Sequence, residues 1–481
     1  MGADAPDLSG GDPVVAGVSL STQRIRPGDL YAALSGSRAH GAAYSSTAAA
    51  AGAVGVLTDA AGADQARASG LPVLVVDSPR AVLGALAAKV YGDPAADLRL
   101  IGVTGTQGKT TTTRLLEGGL EGAGIRAGVI GTVGTRVAGR DVKTALTTPE
   151  APDLHGLFAR MREEGVAACA MEVSSHALVM GRVDGVVFDV AVFLNLGRDH
   201  LDFHADLEDY YQAKASLFTP ARARAALVNL DDEHGRRLAR EAGIPVRTFA
   251  IHDPSADWRA TDLELAADGS SFTVVGPGVE IEAHCPLAGE FNVSNTLAAI
   301  AAAGEAGFDP AAVAAGIAAS GGVPGRLEKV DVGQDFVVVV DYAHKPDAVE
   351  ATLATLRPLT SGRLVIVLGA GGDRDPGKRP LMGEIAARLA DVLIVTDDNP
   401  RTEEPAAIRA AVLAGVRGPA EVREIGDRRT AIREAMLMAK AGDIVVVAGK
   451  GHETGQEIAG VVHPFDDREV VRDVVREELP R

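Results

Sequence analysis

Four apolar runs in the last third of the chain show no alternation of polar and apolar residues: "FVVVVDYA" (336–343), "RLVIVLGAGG" (363–372), "DVLIVTDD" (391–398) and "DIVVVAGKG" (443–451). A strand with one solvated face alternates with a period of two. Runs without alternation belong to strands covered on both faces, as in a parallel sheet flanked by helices. Each run ends in a polar or glycine-rich loop, and in open α/β sheets ligands bind outside the carboxyl ends of the strands. Four loops are thereby aimed at one rim.

The same pattern recurs upstream in "LIGVTG" (100–105), "VAACAME" (166–172), "VVFDVAVFLNL" (186–196) and "RAALVNL" (224–230), separated by helical segments. That predicts a second, mostly parallel sheet. "GSSFTVVGPGVEIEAH" (269–284) alternates and predicts an appended hairpin, and "FNVSNTLAAIAAAGEAG" predicts a helix ending near Gly307. Nearer the N-terminus, "DLYAAL", "GAVGVLTD" and "LPVLVVD" are candidate strands, with Ala-rich helices near 46–52 and 81–90. Gly92, Asp93 and Pro94 then punctuate the pattern. A length of 481 residues suits about three domains. The reading is α/β throughout, with three open α/β sheets over 1–97, 98–325 and 326–481.

The formal net charge is −18 and there is no long Lys/Arg run, which speaks against nucleic acid. Local backbone N–H groups and single cations can still hold small anions. No apolar run approaches the ~18 residues of a membrane span and no secretion signal is evident, so a cytoplasmic protein is expected. Cys169 and Cys285 lie in apolar stretches and read as buried thiols rather than a disulfide.

The sharpest chemical signal is "GVTGTQGKTTTT" (102–113), directly after a strand. Glycines let backbone N–H groups close around phosphates, Lys109 can reach the β/γ oxygens, and a Thr hydroxyl can bind Mg²⁺. The spacing departs from the strict Walker form: Val103 stands six residues before Lys109, and Gly102, Gly105 and Gly108 supply the glycines. Glu172 in "MEVSSHAL" ends a neighbouring strand and suits Mg²⁺; otherwise it is a helix-start acid beside capping Ser174 and Ser175. His200 in "NLGRDHLDFH" ends a third strand, where Mg²⁺ with phosphates suits the ligand set better than zinc. Lys214 in "DYYQAKASLF" reads, on spacing alone, as a snorkelling lysine. Arg326, Asp341 and His344 flank a hinge, where Asp341 suits a ribose hydroxyl or the cap of the helix after Pro346. In "TDDNPRTEEP" (396–405), Pro400 shapes a turn, Thr402 can cap a helix, and Glu403 and Glu404 suit its first turn. Turn chemistry gives Arg401 no role there.

Together, "GTQGKTTTT", "LTTPE", "EVSSH", "DHLDFH", "YYQAKASLF", "GEFNVSNTLAAIAA", "PGRLE" and "DYAHKPDA" resemble the Mur ligases, the ATP-dependent amino-acid-adding enzymes of peptidoglycan synthesis. "GAGGDRDPGKRPLMG", "DDNPRTEEP", "AGKGHETGQEI" and "FDDREV" are similar to the branch that adds 2,6-diaminopimelate. The resemblance runs from about residue 14 to the C-terminus. It implies a small uridine-binding N-terminal domain, a central P-loop ATPase domain and a C-terminal Rossmann-like domain.

By the same resemblance, Gly105, Thr106, Gln107, Gly108, Lys109, Thr110 and Thr111 would hold the ATP phosphates, with Gln107 where Asn is more common. Asn295, Arg326 and Asp341 match adenine and ribose contacts. Thr110 and Glu172 would hold one Mg²⁺. His200 and a CO₂-derived carbamate on Lys214 would hold a second, which replaces the snorkelling reading. Thr22, Ser37, Arg38 and Ala39 match uridine-side contacts, although Ser21-Thr22-Gln23 replaces the usual Asp-Ser-Arg. Thr147, Thr148, Ser174 and Arg182 match contacts to the muramoyl peptide. Arg374, Asp398, Asn399, Pro400, Arg401, Gly449 and Glu453 would form the diaminopimelate pocket. Arg401 there would donate two parallel hydrogen bonds to the second carboxylate.

The implied reaction joins diaminopimelate to the D-Glu of a UDP-muramoyl dipeptide through an acyl phosphate, with His200 and His344 as the candidate bases. A monomer acting on small molecules is expected. The rivals are the L-lysine-adding branch, the folylpolyglutamate synthase class and a non-catalytic nucleotide switch.

Overall fold

The computed structural model describes residues 13–36 and 38–478. Ser37 of the uridine-side set lies outside the described residues. The chain forms two compact units. One comprises the chain up to Arg259 together with Leu297–Gly316; the other comprises Ala260–Thr296 and the chain from Ile317 onward.

The first unit contains two sheets. The smaller has four parallel strands in the order Gly17–Ser19, Asp29–Ala32, Gly55–Thr58 and Val73–Val75. Three of these coincide with the expected strands. The first was not expected: three residues beside a Gly/Pro-rich tail leave no periodicity to read. The larger sheet places Arg99–Thr104 between Phe188–Phe193 and Ala168–Glu172, all parallel. Ala223–Asn229 and Val246–Ala250 extend it on one side and Ala127–Gly131 on the other, again parallel. Gly134–Val137 and Arg140–Val142 close that edge antiparallel. Phe158, Met161, Phe188, Phe193 and Phe218 lead the core beneath it. Gly102 lies inside the central strand rather than in the phosphate loop. A Cβ there would meet the Phe188 ring at 2.9 Å, so this glycine serves strand packing.

In the second unit, Gly269–Gly276 and Val279–Cys285 form the expected antiparallel hairpin. The main sheet runs Glu328–Lys329, Val337–Asp341, Ile444–Ala448, Leu364–Ala370, Val392–Asp397, Glu421–Glu424, with only the first strand antiparallel. The four unalternating runs are the four inner strands. Val339, Ile366, Leu368 and Val446 pack into one core with Leu353, Leu356 and Met382. Val338, Val365, Val367 and Val447 pack into the other with Ile432, Met436, Val471 and Val474. Both faces bury alternate residues at about 2 kcal/mol per side chain, which is why no polar position interrupts the runs. The Glu421–Glu424 edge strand was not legible, because charged edge residues hide its periodicity.

Both cysteines are buried and free. Burial pushes the Cys285 thiol up to about 11 and Cys169 higher still. Among the described residues no helix is long and apolar enough to cross a membrane.

Candidate active site

The adjacency of three parallel strands in the first unit sets side by side the loop after Thr104, the end of Ala168–Glu172 and the segment after Phe193. Gly108, at φ +86, turns the chain into the helix Lys109–Gly122 with no side-chain cap, and a helix N-terminus of this kind favours an anion. Asn195 Oδ1 accepts from Thr106 N (3.1 Å) and Gln107 N (2.9 Å), while its Nδ2 donates to Gln107 O (3.2 Å). Asn195 therefore shapes the phosphate loop. It escaped the sequence reading, although it stands at a strand end in "FLNLG".

Lys109 Nζ donates to Gly105 O at 2.7 Å and to Thr106 O at 3.0 Å. Lys214 Nζ donates to the same Gly105 carbonyl at 2.8 Å. Lys214 is 1% exposed and lies over the Tyr210 ring, so it does not snorkel. Burial first, and the Lys109 charge second, hold its ammonium well below the ordinary lysine range.

Glu172 is buried at the third strand end. Its Oε1 accepts from Thr110 Oγ1 (2.9 Å) and Thr132 N (2.7 Å), and Oε2 accepts from Thr132 Oγ1 (3.3 Å). Ser174 caps Ser175–Val179 as expected, whereas Ser175 Oγ pairs with His204 Nε2 instead of capping, and the Glu172 carboxylate is turned to Thr110 and Thr132 rather than to the helix start. His200 sits in the left-handed region at φ +54, its ring 4.9 Å from that of His176 and 6.0 Å from that of Tyr210. Among the described residues no three His, Cys, Asp or Glu side chains form a ready metal cage. The Thr110–Glu172 oxygen pair beside a phosphate loop fits Mg²⁺, a hard cation that is completed by phosphate and water oxygens.

Of the residues expected to meet the muramoyl peptide, Thr148 Oγ1 donates to Glu172 O (2.8 Å) and accepts from Ser174 N (3.2 Å); Thr147 Oγ1 pairs with Thr132 Oγ1 (3.0 Å). Arg182 Nε donates to Glu150 Oε1 at 2.9 Å. Arg80 donates to Glu150 Oε2 and to Met180 O, both at 3.0 Å. Glu150 and Arg80 were not anticipated from sequence. Thr22, Arg38 and Ala39 lie on loops of the small sheet, with Gly36 N donating to Ala39 O (3.1 Å).

In the second unit, Asp341 Oδ2 accepts from Leu327 N (2.8 Å), and Oδ1 accepts from Ala343 N (2.9 Å) and Thr352 Oγ1 (3.2 Å). It does not cap the following helix, whose N-cap is Lys345. Instead it pins the segment carrying Arg326, whose guanidinium lies over Tyr342 at 4.7 Å. Arg326 Nε is buried without a hydrogen-bond partner, as expected of a group that awaits a ligand. Asn295 is buried on the helix Glu290–Glu305. His344 Nδ1 lies 2.7 Å from Tyr342 O, so Nδ1 carries the proton and Nε2 is the basic nitrogen; burial holds this imidazole below its ordinary range.

The carboxyl ends of Leu364–Ala370, Val392–Asp397 and Ile444–Ala448 bring together most of the remaining set. Asn399 Nδ2 donates to Glu453 Oε2 (2.8 Å), and Asn399 Oδ1 accepts from Lys450 Nζ (3.0 Å) and Glu457 N (2.9 Å). Lys450 is fully buried and was missed in the sequence. Asp398 is buried beside Gly449, where a Cβ would meet its Oδ2 at 2.4 Å. Arg401 has φ +55, a left-handed conformation that is rare for arginine. Its NH1 donates to Gly372 O (2.6 Å) and its Nε lies 3.3 Å from Glu457 Oε2. Local structure thus does give Arg401 partners, while 23% of its side chain stays exposed at the rim. Thr402 caps no helix; it bonds Asp373, and Glu403 pairs with Arg379, because the following helix starts at Pro405. Arg374 lies on the loop after Leu364–Ala370.

Family models match three stretches: "Mur ligase family, catalytic domain" over 14–91, "Mur ligase middle domain" over 103–303, and "Mur ligase, glutamate ligase domain" over 325–451. The chain belongs to the Mur ligase family. Among similar Mur ligases is the UDP-N-acetylmuramoyl-L-alanyl-D-glutamate--2,6-diaminopimelate ligase of Streptomyces avermitilis. It is 58% identical over 99% of this chain and 95% of its own. The protein of that name from Streptomyces coelicolor is 56% identical over 99% and 95%. A solved structure of a UDP-N-acetylmuramoyl-L-alanyl-D-glutamate--2,6-diaminopimelate ligase superposes with a TM-score of 0.71 at 34% identity, covering 97% of this chain and 96% of that one.

Proposed function

We propose that this Mur ligase adds meso-2,6-diaminopimelate to UDP-N-acetylmuramoyl-L-alanyl-D-glutamate, with ATP consumed to ADP and phosphate. Relatives above 50% identity over nearly the whole chain are named UDP-N-acetylmuramoyl-L-alanyl-D-glutamate--2,6-diaminopimelate ligases. The observation that carries the specificity is the grouping of Asp398, Asn399, Arg401 and Glu453 beyond the ends of the two strands that flank Leu364–Ala370. Carboxylates and a guanidinium on one rim suit an amino-acid head that bears both an ammonium and a carboxylate. Pro400, Gly449 and Arg374 complete the pocket in this reading.

In the reaction, the D-Glu γ-carboxylate attacks the ATP γ-phosphorus, ADP leaves, and an acyl phosphate forms. The incoming amine then attacks the acyl carbon and phosphate departs. Positioning and charge screening do most of the work. Gly105 to Thr111 orient the triphosphate, with Lys109 swinging from its carbonyl contacts to the phosphate oxygens. Asn295, Arg326 and Asp341 hold adenine and ribose. Thr147, Thr148, Ser174 and Arg182 orient the acceptor peptide, and Thr22, Ser37, Arg38 and Ala39 its uridine end. His344, through Nε2, and His200 are the candidates to take the amine proton.

Mg²⁺ supplies charge neutralisation between the phosphates and the approaching carboxylate. Thr110 and Glu172 would hold one ion, and His200 with a carbamylated Lys214 a second. Only a neutral amine adds CO₂, and the depressed Lys214 ammonium supports that step. The domains are 1–97 for the nucleotide sugar, 98–325 for ATP and 326–481 for the amino acid, in a cytoplasmic monomer.

Phosphate release from ATP with the muramoyl dipeptide tests the reading. Meso-diaminopimelate should drive release far faster than L-lysine or no amino acid. Equal rates with lysine would place the chain in the lysine-adding branch, and amino-acid-independent release would favour a nucleotide switch.

A further inference from the structure

We infer that Arg428, locked to Asp467, is a positioning residue that sets the spacing of the two loops which recognise the incoming amino acid. It is the largest fully buried side chain among the described residues, and the Arg428–Asp467 pair is 0% exposed on both sides. Its Nε and NH2 each donate to one Asp467 oxygen at 2.7 Å, a two-pronged pairing.

The guanidinium also reaches the backbone ends of two strands. NH2 donates to Ala448 O at 2.9 Å, and NH1 lies 3.4 Å from Asp397 O. Ala448 ends Ile444–Ala448, and the chain continues into Gly449, Lys450 and Glu453. Asp397 ends Val392–Asp397, and the chain continues into Asp398, Asn399 and Arg401. One rigid planar group therefore ties the roots of both loops. Their tips are joined above it by Asn399 to Glu453 and Lys450, and by Gln456 Nε2 to Asp398 O (2.8 Å).

Stability alone does not call for this arrangement. Arg428 is the first residue of the helix Arg428–Met438, where a cation opposes the helix dipole. A buried ion pair is often matched or exceeded in stability by apolar residues of similar volume. What apolar residues cannot supply is a fork that fixes two carbonyls to one carboxylate. Burial opposes the Arg428 charge, but Asp467 more than offsets it, so the guanidinium stays charged, with Asp398 and Glu453 also within its field.

The inference rests on the amino-acid site proposed above. Its test replaces the pair together in the full chain, Arg428→Met with Asp467→Leu, alongside Arg428→Lys. ATP, the muramoyl dipeptide and the amino acid are each varied in phosphate-release kinetics. The double variant should melt as a folded protein with KM for diaminopimelate raised at least about tenfold. KM for ATP and the dipeptide should stay within about twofold, and Arg428→Lys should lie between wild type and the double variant. A folded double variant with unchanged amino-acid KM, or with all three KM values and kcat moving together, overturns the inference. Should the double variant not fold, Arg428→Lys decides by the same selective rise in amino-acid KM, and its absence overturns the inference. Wild type that accepts another amino acid in place of diaminopimelate refutes the substrate reading instead. The selective KM effect is then scored on the accepted amino acid.

Discussion

Lys109 and Lys214 donate to one and the same carbonyl oxygen, that of Gly105, at 2.7 and 2.8 Å. Burial of Lys214 disfavours its charged form first, and the Lys109 ammonium on the same acceptor repels it second. The folded chain therefore releases the Lys214 proton at lower pH than the unfolded chain, where the amine titrates near 10.5. Between those two values the unfolded state binds more protons, so this group makes stability rise with pH. Lys214→Met should be the more stable protein near neutral pH, and its advantage should shrink as pH approaches 10.5. Denaturant titrations of both proteins from pH 7 to 10 check this; an advantage that grows with pH would sink the account.

The same amine is the proposed carbamate carrier. Lys214→Ala should lose activity by at least about a hundredfold, the scale of removing one electrostatic contributor to phosphoryl transfer. Short-chain carboxylic acids should restore part of it by standing in for the carbamate. Full activity of the variant in bicarbonate-free buffer would refute the role.

Arg401, the residue proposed to recognise the second carboxylate, has a left-handed backbone, φ +55. Replacing it with alanine should cost about 2–4 kcal/mol of selectivity for diaminopimelate over lysine, roughly 30- to 1,000-fold in the kcat/KM ratio. Alanine keeps the strained φ, whereas glycine relieves it. Arg401→Gly should thus melt no lower than Arg401→Ala, the reverse of the usual order of these two residues. Paired melting curves and kinetics on both variants provide the check.

Much of this was readable in the sequence wherever one residue's chemistry and one strand's pattern were enough. The four runs from Phe336 to Gly451 announced a sheet buried on both faces, and the glycines before Lys109 announced the turn between the strand Arg99–Thr104 and the helix Lys109–Gly122. The misreadings are cases where a distant segment decides. Gly102 belongs to the packing of Phe188, 86 positions away in sequence, rather than to the loop it adjoins. Thr402 looked like a helix cap because Asp373, its actual partner, comes from another strand end. Lys214 looked like a snorkeller because nothing local shows that Gly105 lies above it. Asn195, Glu150, Lys450 and Arg428 went unnoticed for the same reason, since each acts by joining segments that only the folded sheet makes neighbours.

Asn195 offers a test of how far the phosphate loop is prearranged. Asn195→Ala leaves Gln107 N–H without its acceptor, while Thr106 N–H keeps the Asn195 backbone carbonyl at 3.0 Å, and should raise KM for ATP about tenfold, the worth of one hydrogen bond. Asn195→Asp keeps an acceptor for both N–H groups yet sets a negative charge beside the triphosphate site. It should preserve thermal stability better than alanine while binding ATP more weakly. If both variants weaken ATP equally, the loss they share, the Asn195 Nδ2 donation to Gln107 O, matters and the charge does not.

Glu150 holds Arg182 through Oε1 and Arg80 through Oε2, so a helix of the small sheet, Pro79–Val90, reaches the proposed acceptor-binding arginine through one carboxylate. Glu150→Gln removes the charge that both guanidiniums share and leaves at most one good acceptor. Freed from Glu150, Arg182 carries more net positive potential but loses its orientation. Orientation should dominate, because a guanidinium recognises a carboxylate through a fixed planar fork. KM for the muramoyl dipeptide should rise about tenfold with KM for ATP unchanged. Arg80→Ala should act in the same direction and more weakly, since Arg182 keeps its bond to Glu150. A fall in dipeptide KM in Glu150→Gln would show that the pair restrains Arg182 from the substrate rather than aiming it.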